Sequence, residues 1–559
     1  MSASARPPFD LVIRGGEVVD GTRAPRRPAD VGVRDGRIAA IGVALGRGER
    51  ELDARGRAVA PGFLDIHTHY DAQLCWDGLA TPSPLHGVTS VLTGNCSLSL
   101  APVRGDGPER VVGMFQTIED IGAPSFAAGV PFSWESFAQY LDFLRPRLSV
   151  NLIPLVGHST LRLYAMGQAS QQRAASDAEI ARMCALLGEA VRAGARGLSL
   201  SDLDVDERLR PVPSRYADLR EKIALAVAAV AAGGQLLENV IPSTGAAGIR
   251  ACIEELGTIS RESGIVATLQ PVILFPGAQA LLEQTLGWIA DENARGGRVY
   301  GQTTPRSFDT NLRLEEQFFT FLLLPSWAEI MRRPVAERAA LLADPARRPK
   351  LIEEGLPMLS LFLDRASVGE CFAPENQRLR GRTLPEIARE RGCTTVDALL
   401  EIALADELRT EFRIVGMMQD DPAVTARILA HPNILVGASD GGAHVSQFCG
   451  AGDTSELLAT FVRERGDFSL EDAVWRLTGQ PAELFGLRDV GRLAVGRSAD
   501  LVVFDPATIA PGRESYVRDV PGGARRYLRD AVGIEAVYVA GAPIVEGGVY
   551  REARRGRVV

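Results

Sequence analysis

The chain has 559 residues, 46% of them hydrophobic and 23% charged, with a formal net charge of −9. That length exceeds a usual single domain, and the balance is that of a folded globular protein. The acidic surplus argues against nucleic acid and anionic membrane as partners, because both reward clustered Lys and Arg. Seven scattered cysteines without CxxC spacing suit unpaired thiols in a reducing cytoplasm. Strand-like sequence begins by Leu11 with no basic, apolar and small-residue succession before it, so no signal peptide is expected. No uncharged stretch reaches membrane-span length.

Taken in order, residues 10–60 read as short strands between turns. Asp10–Arg14 leads to a turn at Gly15-Gly16, and a second turn, Asp35-Gly36, separates Ala29–Val33 from Arg37–Gly42. Alternation punctuated by glycine predicts antiparallel β structure. Residues 487–559 read the same way, through Ala499–Phe504 and Val537–Ala542. Neither end can bury a face alone, so the two are expected to pair into one small β-domain.

Between them, over 61–486, short apolar strands alternate with helical stretches, the pattern of an α/β fold with a parallel (β/α)8, TIM-like barrel. Strands are expected to end near His67, Thr93, Val156, Leu200, Glu238, Gln270, Gln302 and Ala438. Helices are expected over 177–193, capped by Ser176 and stopped by Gly194, and over 218–232. The interval of about 305–430 is too long for one crossover, and its prolines predict an inserted subdomain of short helices over the barrel mouth.

The first barrel strand runs through Pro61-Gly62-Phe63-Leu64-Asp65-Ile66 into His67-Thr68-His69. Side chains alternate along a strand, so His67 and His69 face one way and can hold one divalent metal. Two satisfied core histidines are the ordinary alternative. The chain has only six histidines, however, and a buried pair needs a shared partner. The other residues with chemistry at strand ends are Asn95 and Cys96, His158, Glu238, Arg306, Asp440 and His444. Each has a plainer reading: a buried thiol, a capping Asp, a surface Arg or a satisfied loop histidine.

The stretch PGFLDIHTHYD resembles the first barrel strand of the amidohydrolase superfamily. Gly94-Asn95-Cys96, Ala101-Pro102-Val103-Arg104 and Gly437-Ala438-Ser439-Asp440-Gly441-Gly442-Ala443-His444 are similar to the D-aminoacylase (N-acyl-D-amino-acid deacylase) branch. That resemblance implies that the β-domain of both termini is a sandwich and that Cys96 is a metal ligand. It also implies that Asp440 touches the metal and takes the proton from its water. Typical members carry a metal-binding His after strand five and another after strand six. This chain has Glu238 and Gln270 there, so one ion, most simply zinc, held by His67, His69 and Asp440 with Cys96 or Glu238, is expected over two. Zinc lowers the pKa of its water toward about 7, which suits hydrolysis of a non-peptide amide C–N bond in a small N-acyl amino acid. His158 is expected to orient the carbonyl, Arg306 to bind a carboxylate, and Asn95 and His444 to line the substrate site. The competing readings are a barrel that has lost catalysis and binds a ligand or partner, and a hydrolase of cyclic amides. The acidic surface and long insertion leave room for a symmetric homodimer.

Overall fold

Strands that are buried on both faces organise the middle of the chain. The computed structural model describes residues 7–242, 245–316 and 318–559, so residues 1–6 of the expected first β segment lie outside the described residues. Eight parallel segments follow one another: β1 (Phe63–Asp65), β2 (Val88–Thr93), β3 (Asn151–Pro154, continued by Val156–Gly157), β4 (Gly197–Ser201), β5 (Leu236–Val240), β6 (Val266–Gln270), β7 (Val299–Thr303) and β8 (Ile434–Val436). The first half of β3 pairs with β2, which pairs with β1 on its other edge, and the second half begins the run β3 to β8 in sequence order. Beyond the strands, Thr68 and Gly441 form a parallel bridge between the chain leaving β1 and the chain leaving β8.

Alternation along these strands decides which side chains meet. Leu64, Leu92, Ile153, Leu236, Val266 and Leu435 pack together with Phe485 and Leu487 in one apolar cluster. Their neighbours Phe63, Val91, Leu152, Leu237, Ala267 and Ile434 pack the other way, in the large core shared with the helices. Counting on by two from Leu236 and Val266 puts Glu238 and Gln270 on the inner side, at the C-terminal ends of β5 and β6.

The expected helix over Asp177–Ala193 forms with those bounds, fixed by a capping box between Ser176 and Glu179 and followed by Gly194. The next begins at Leu219, one residue later than expected, because the Asp218 carboxylate accepts from Glu221 N as an N-cap. Among the described residues no helix is long and apolar enough to cross a membrane.

The two ends of the chain meet in one nine-stranded sheet, where Leu501–Phe504 pairs antiparallel with Ala58–Pro61. Gly15-Gly16 is not the expected turn. The strand Phe9–Val18 runs through it with a register shift, Gly15 adopts φ +63°, and its N–H donates to Asp30. A bulge with glycine in the left-handed region lets the strand bend without ending. From this region a two-stranded ribbon, Ala510–Val517 with Arg526–Val532, runs off separately.

The insertion corrects the all-helical expectation. Its entering and leaving segments, Phe308–Leu312 and Phe412–Met418, pair antiparallel, and Ala366–Val368 adds a third strand. β-branched and aromatic residues at both ends favour this pairing, and the prolines do not keep every helix short: Arg348–Leu363 runs for 16 residues with Pro357 inside it. The insertion has its own core around Trp327. The indole stacks on Phe321 at 4.7 Å between ring centroids and donates to Leu351 O at 2.9 Å. Trp327→Ala should therefore cost about 3–5 kcal/mol, read as a lowered urea midpoint for the transition that unfolds the insertion.

Candidate metal centre

His67 and His69 leave β1 on the same side, as the alternation requires, with ring centroids 5.2 Å apart. Both are buried. Thr68 turns the other way and its hydroxyl donates to Leu92 O at 2.7 Å. Cys96 Sγ lies 3.7 Å from His67 Nε2 and 3.8 Å from His69 Nε2. Asp440 Oδ1 lies 3.3 Å and 3.7 Å from the same two nitrogens. Donor atoms around one tetrahedral zinc-like ion sit roughly 3.3–3.6 Å apart, given bonds of about 2.0–2.3 Å. Two imidazoles and a thiol therefore fit a metal in both spacing and chemistry, and the Asp440 carboxylate approaches both imidazoles. Among the described residues the three-donor cluster within 4.8 Å is His67, His69 and Cys96.

Electrostatics distinguish the donors. Burial pushes His67 down to about 3, although Asp440 pulls the other way. His69 meets the same burial, but Glu119 and Asp440 outweigh it and hold the ring well above its ordinary value. Burial also opposes the charge on Asp440, yet the two histidines hold it well below the usual carboxylate range. Burial, then Glu238, pushes the Cys96 thiol well up, and only an opposing charge such as a dication would reverse that. Glu238 is pushed up to about 8 by burial; its Oε2 accepts from Cys96 N at 3.0 Å and its Oε1 lies 3.9 Å from His67 Nδ1. Gln270 Nε2 stands 3.7 Å from Cys96 Sγ. The ends of β5 and β6 thus face the cluster with a carboxyl and a carboxamide in place of imidazoles.

Backbone strain gathers at the same point. Cys96, Ser97, Ala438, Asp440 and His444 all take positive φ, between 49° and 62°. Such conformations cost of order 1 kcal/mol or more each and persist only where packing imposes them. Ser439 Oγ, 2.8 Å from both the Asp65 carboxylate and the His67 carbonyl, ties the Asp440 turn to β1. Gly450 lies so close that a Cβ would come within 2.3 Å of Ser439 O and 2.4 Å of Asp440 O.

Three expected substrate contacts are placed elsewhere. His158 is fully buried at the start of a helix, with Nδ1 3.0 Å from Ser214 Oγ and Nε2 2.9 Å from Glu221 Oε1. Both nitrogens are spent, so it does not orient a carbonyl. Arg306 is buried, with Nε donating to Asp453 at 2.7 Å and Nη2 to Ser439 O at 2.9 Å. Its charge is matched by Asp453, and it braces the Asp440 turn instead of binding a substrate carboxylate. Asn95 donates from Nδ2 to Thr68 O and Leu92 O, clamping the ends of β1 and β2. His444 does stand near Asp440, half-buried, with its ring 5.3 Å from Phe448. A cavity of about 590 Å³ borders the same loop at Gly442 and Val445, between the insertion and the ribbon.

Sequence reasoning missed Glu119, whose Oε1 lies 3.1 Å from His69 Nδ1. A signal was present. Glu119 and Asp120 follow the helix Gly107–Ile118 at its C-terminus, where the helix dipole disfavours acids.

A family model described as an amidohydrolase family matches residues 50–545. The chain belongs to this family. This amidohydrolase is 33% identical to a D-aminoacylase from Alcaligenes xylosoxydans xylosoxydans, over all of this chain and 99% of that one. A crystal structure of D-aminoacylase superposes with a TM-score of 0.67 at 30% identity, covering 98% and 99% of the two chains. A structure of an N-acyl-D-glutamate deacylase from Bordetella bronchiseptica, complexed with zinc and a phosphonate inhibitor, superposes with a TM-score of 0.65 at 27% identity over 98% and 99%.

The His158 network gives a stability prediction. Glu221 is pushed down to about 2: burial opposes its charge, but His158 and Arg162 more than compensate. A depressed carboxylate stabilises the fold above its unfolded value of about 4.3. That stability should be lost as pH falls from there toward about 2. Glu221→Gln leaves the buried Arg162 charge unmatched and should cost about 3–5 kcal/mol at neutral pH, with a flatter acid limb in denaturation curves.

Proposed function

We propose that the chain is a metal-dependent hydrolase of amide C–N bonds whose substrates are N-acyl-D-amino acids or closely related small amides. One divalent ion, zinc, would be held by His67, His69, Cys96 and Asp440, with Glu238 beside them. The single observation that carries this reading is the meeting of His67, His69 and Cys96, from β1 and β2, within 4.8 Å of one another, with the Asp440 carboxylate from β8 at 3.3 Å and 3.7 Å from the two imidazoles. When bound, the ion would polarise the amide carbonyl and acidify a water. We read the two parallel sheets as one closed barrel, because they share β3 and because Thr68 bridges Gly441 on the far side. Residues 1–60 and 487–559 then form the β-domain, and 61–486 the barrel with its insertion at about 305–430.

The protein's own part in the reaction falls mainly to Asp440. Its side chain is the most exposed of the donors, 19% against 0–2% for the two histidines, so it reaches the open side of the site. Its carboxylate stays charged and can accept a proton from the attacking water. As the C–N bond breaks, the same proton passes to the departing nitrogen, giving a carboxylic acid and an amine. His444, beside Asp440 and the cavity, lines the path of the substrate. Glu238 and Gln270, where relatives of the branch would place histidines, support one ion over two.

Purified protein should contain about one divalent ion per chain by elemental analysis. Chelation should abolish hydrolysis of N-acetyl-D-amino acids, and added zinc should restore it. Asp440→Asn should lower kcat by about 10²- to 10⁴-fold, and His67→Ala should lose metal and activity together. Protein that carries no metal, takes up none and turns over no N-acyl amino acid would leave a ligand-binding barrel as the better reading.

A further inference from the structure

The two imidazoles differ in what stands behind them. His67 Nδ1 has no hydrogen-bonding partner; the nearest acid, Glu238, is 3.9 Å away. His69 Nδ1 faces Glu119 Oε1 at 3.1 Å. Glu119 is 1% exposed, and its Oε1 makes no hydrogen bond among the described residues, so the His69 nitrogen 3.1 Å away is the group placed to satisfy it. A buried carboxylate with one imidazole in reach has no other evident use.

Glu119 is also held from behind. Its carbonyl accepts from His444 N at 2.6 Å. The next residue, Asp120, adopts φ +57° and turns its carboxylate to Ser446, accepting from N at 3.0 Å and from the hydroxyl. The left-handed residue lets two consecutive carboxylates point to opposite sides. One grips the loop that follows Asp440, and the other stands behind His69. The position of Glu119 is therefore set by the same loop that delivers the fourth metal donor.

We propose that Glu119 is a positioning residue that accepts a hydrogen bond from His69 Nδ1–H and so keeps Nε2 of that ring aimed at the ion. Nothing in the sequence motifs assigns it, and the inference rests on the metal centre described above. Metal-binding histidines commonly present their second nitrogen to such an acceptor, which fixes tautomer and ring angle and raises ligand basicity. His67, lacking a close acceptor, depends on the ion itself for its orientation. The centre thus has one ring aligned in advance and one that is free to adjust.

Zinc affinity, measured by competition with a chromophoric chelator, and the visible spectrum of the cobalt-substituted protein provide the test. Glu119→Gln should bind zinc roughly 10- to 100-fold more weakly and shift the cobalt bands, with the thermal melt of the metal-free protein little changed. Glu119→Asp, which restores the charge one methylene short, should recover part of the affinity. Zinc binding and cobalt spectrum unchanged in Glu119→Gln would overturn the proposal. Should that variant fail to fold, Glu119→Asp decides by the same readings, with parental affinity counting against. A wild-type protein that binds neither ion would refute the metal centre itself, a result distinct from equal binding by parent and variant.

Discussion

The meeting of the first and last parallel strands is the contact on which the site depends. His67 and His69 are more than 370 residues from Asp440 in sequence, and nothing local brings them together. The bridge from Thr68 to Gly441 and the hydroxyl of Ser439 between Asp65 and the His67 carbonyl do so. Arg306, paired with buried Asp453, supports the same turn from below. Without this joint the imidazoles would remain a pair and the carboxylate a loop residue. With it, the carboxylate comes up beside both imidazoles of the His67, His69 and Cys96 cluster, and the cost of five left-handed backbone positions is met by the surrounding contacts.

Alternation made much of this legible in the sequence. The ends of the parallel strands were placed to within about two residues because strands buried on both faces read as short apolar runs. The same period put His67 and His69 on one side, whereas the inner placement of Glu238 and Gln270 follows only from the packing of Leu236 and Val266. Local rules also sufficed for the helix over Asp177–Ala193, whose capping residues lie in the sequence itself.

What was not legible depends on partners that arrive from a distance. His158 follows its strand as expected, but a helix starts there and its ring turns to Glu221, 63 positions away. Arg306 reads as a free cation until Asp453 appears beside it, and Glu119 reads as a solvated acid at the end of a helix. Burial converts each into something else, and burial is not a local property. The Gly15-Gly16 bulge failed for the opposite reason: glycine permits both a turn and a bent strand, and only pairing with Arg27–Arg34 selects between them.

The antiparallel pairing of Phe308–Leu312 with Phe412–Met418 has a further consequence. Neighbouring strands lie about 4.8 Å apart, so roughly a hundred residues leave and rejoin the central body through a narrow neck. A segment that is closed at its base and carries a core of its own can be lengthened, trimmed or exchanged with little disturbance to the parallel strands. Variation among relatives at the rim of the cavity can therefore accumulate as a replaceable cassette, while the metal-binding loops, built into the strands themselves, stay where they are.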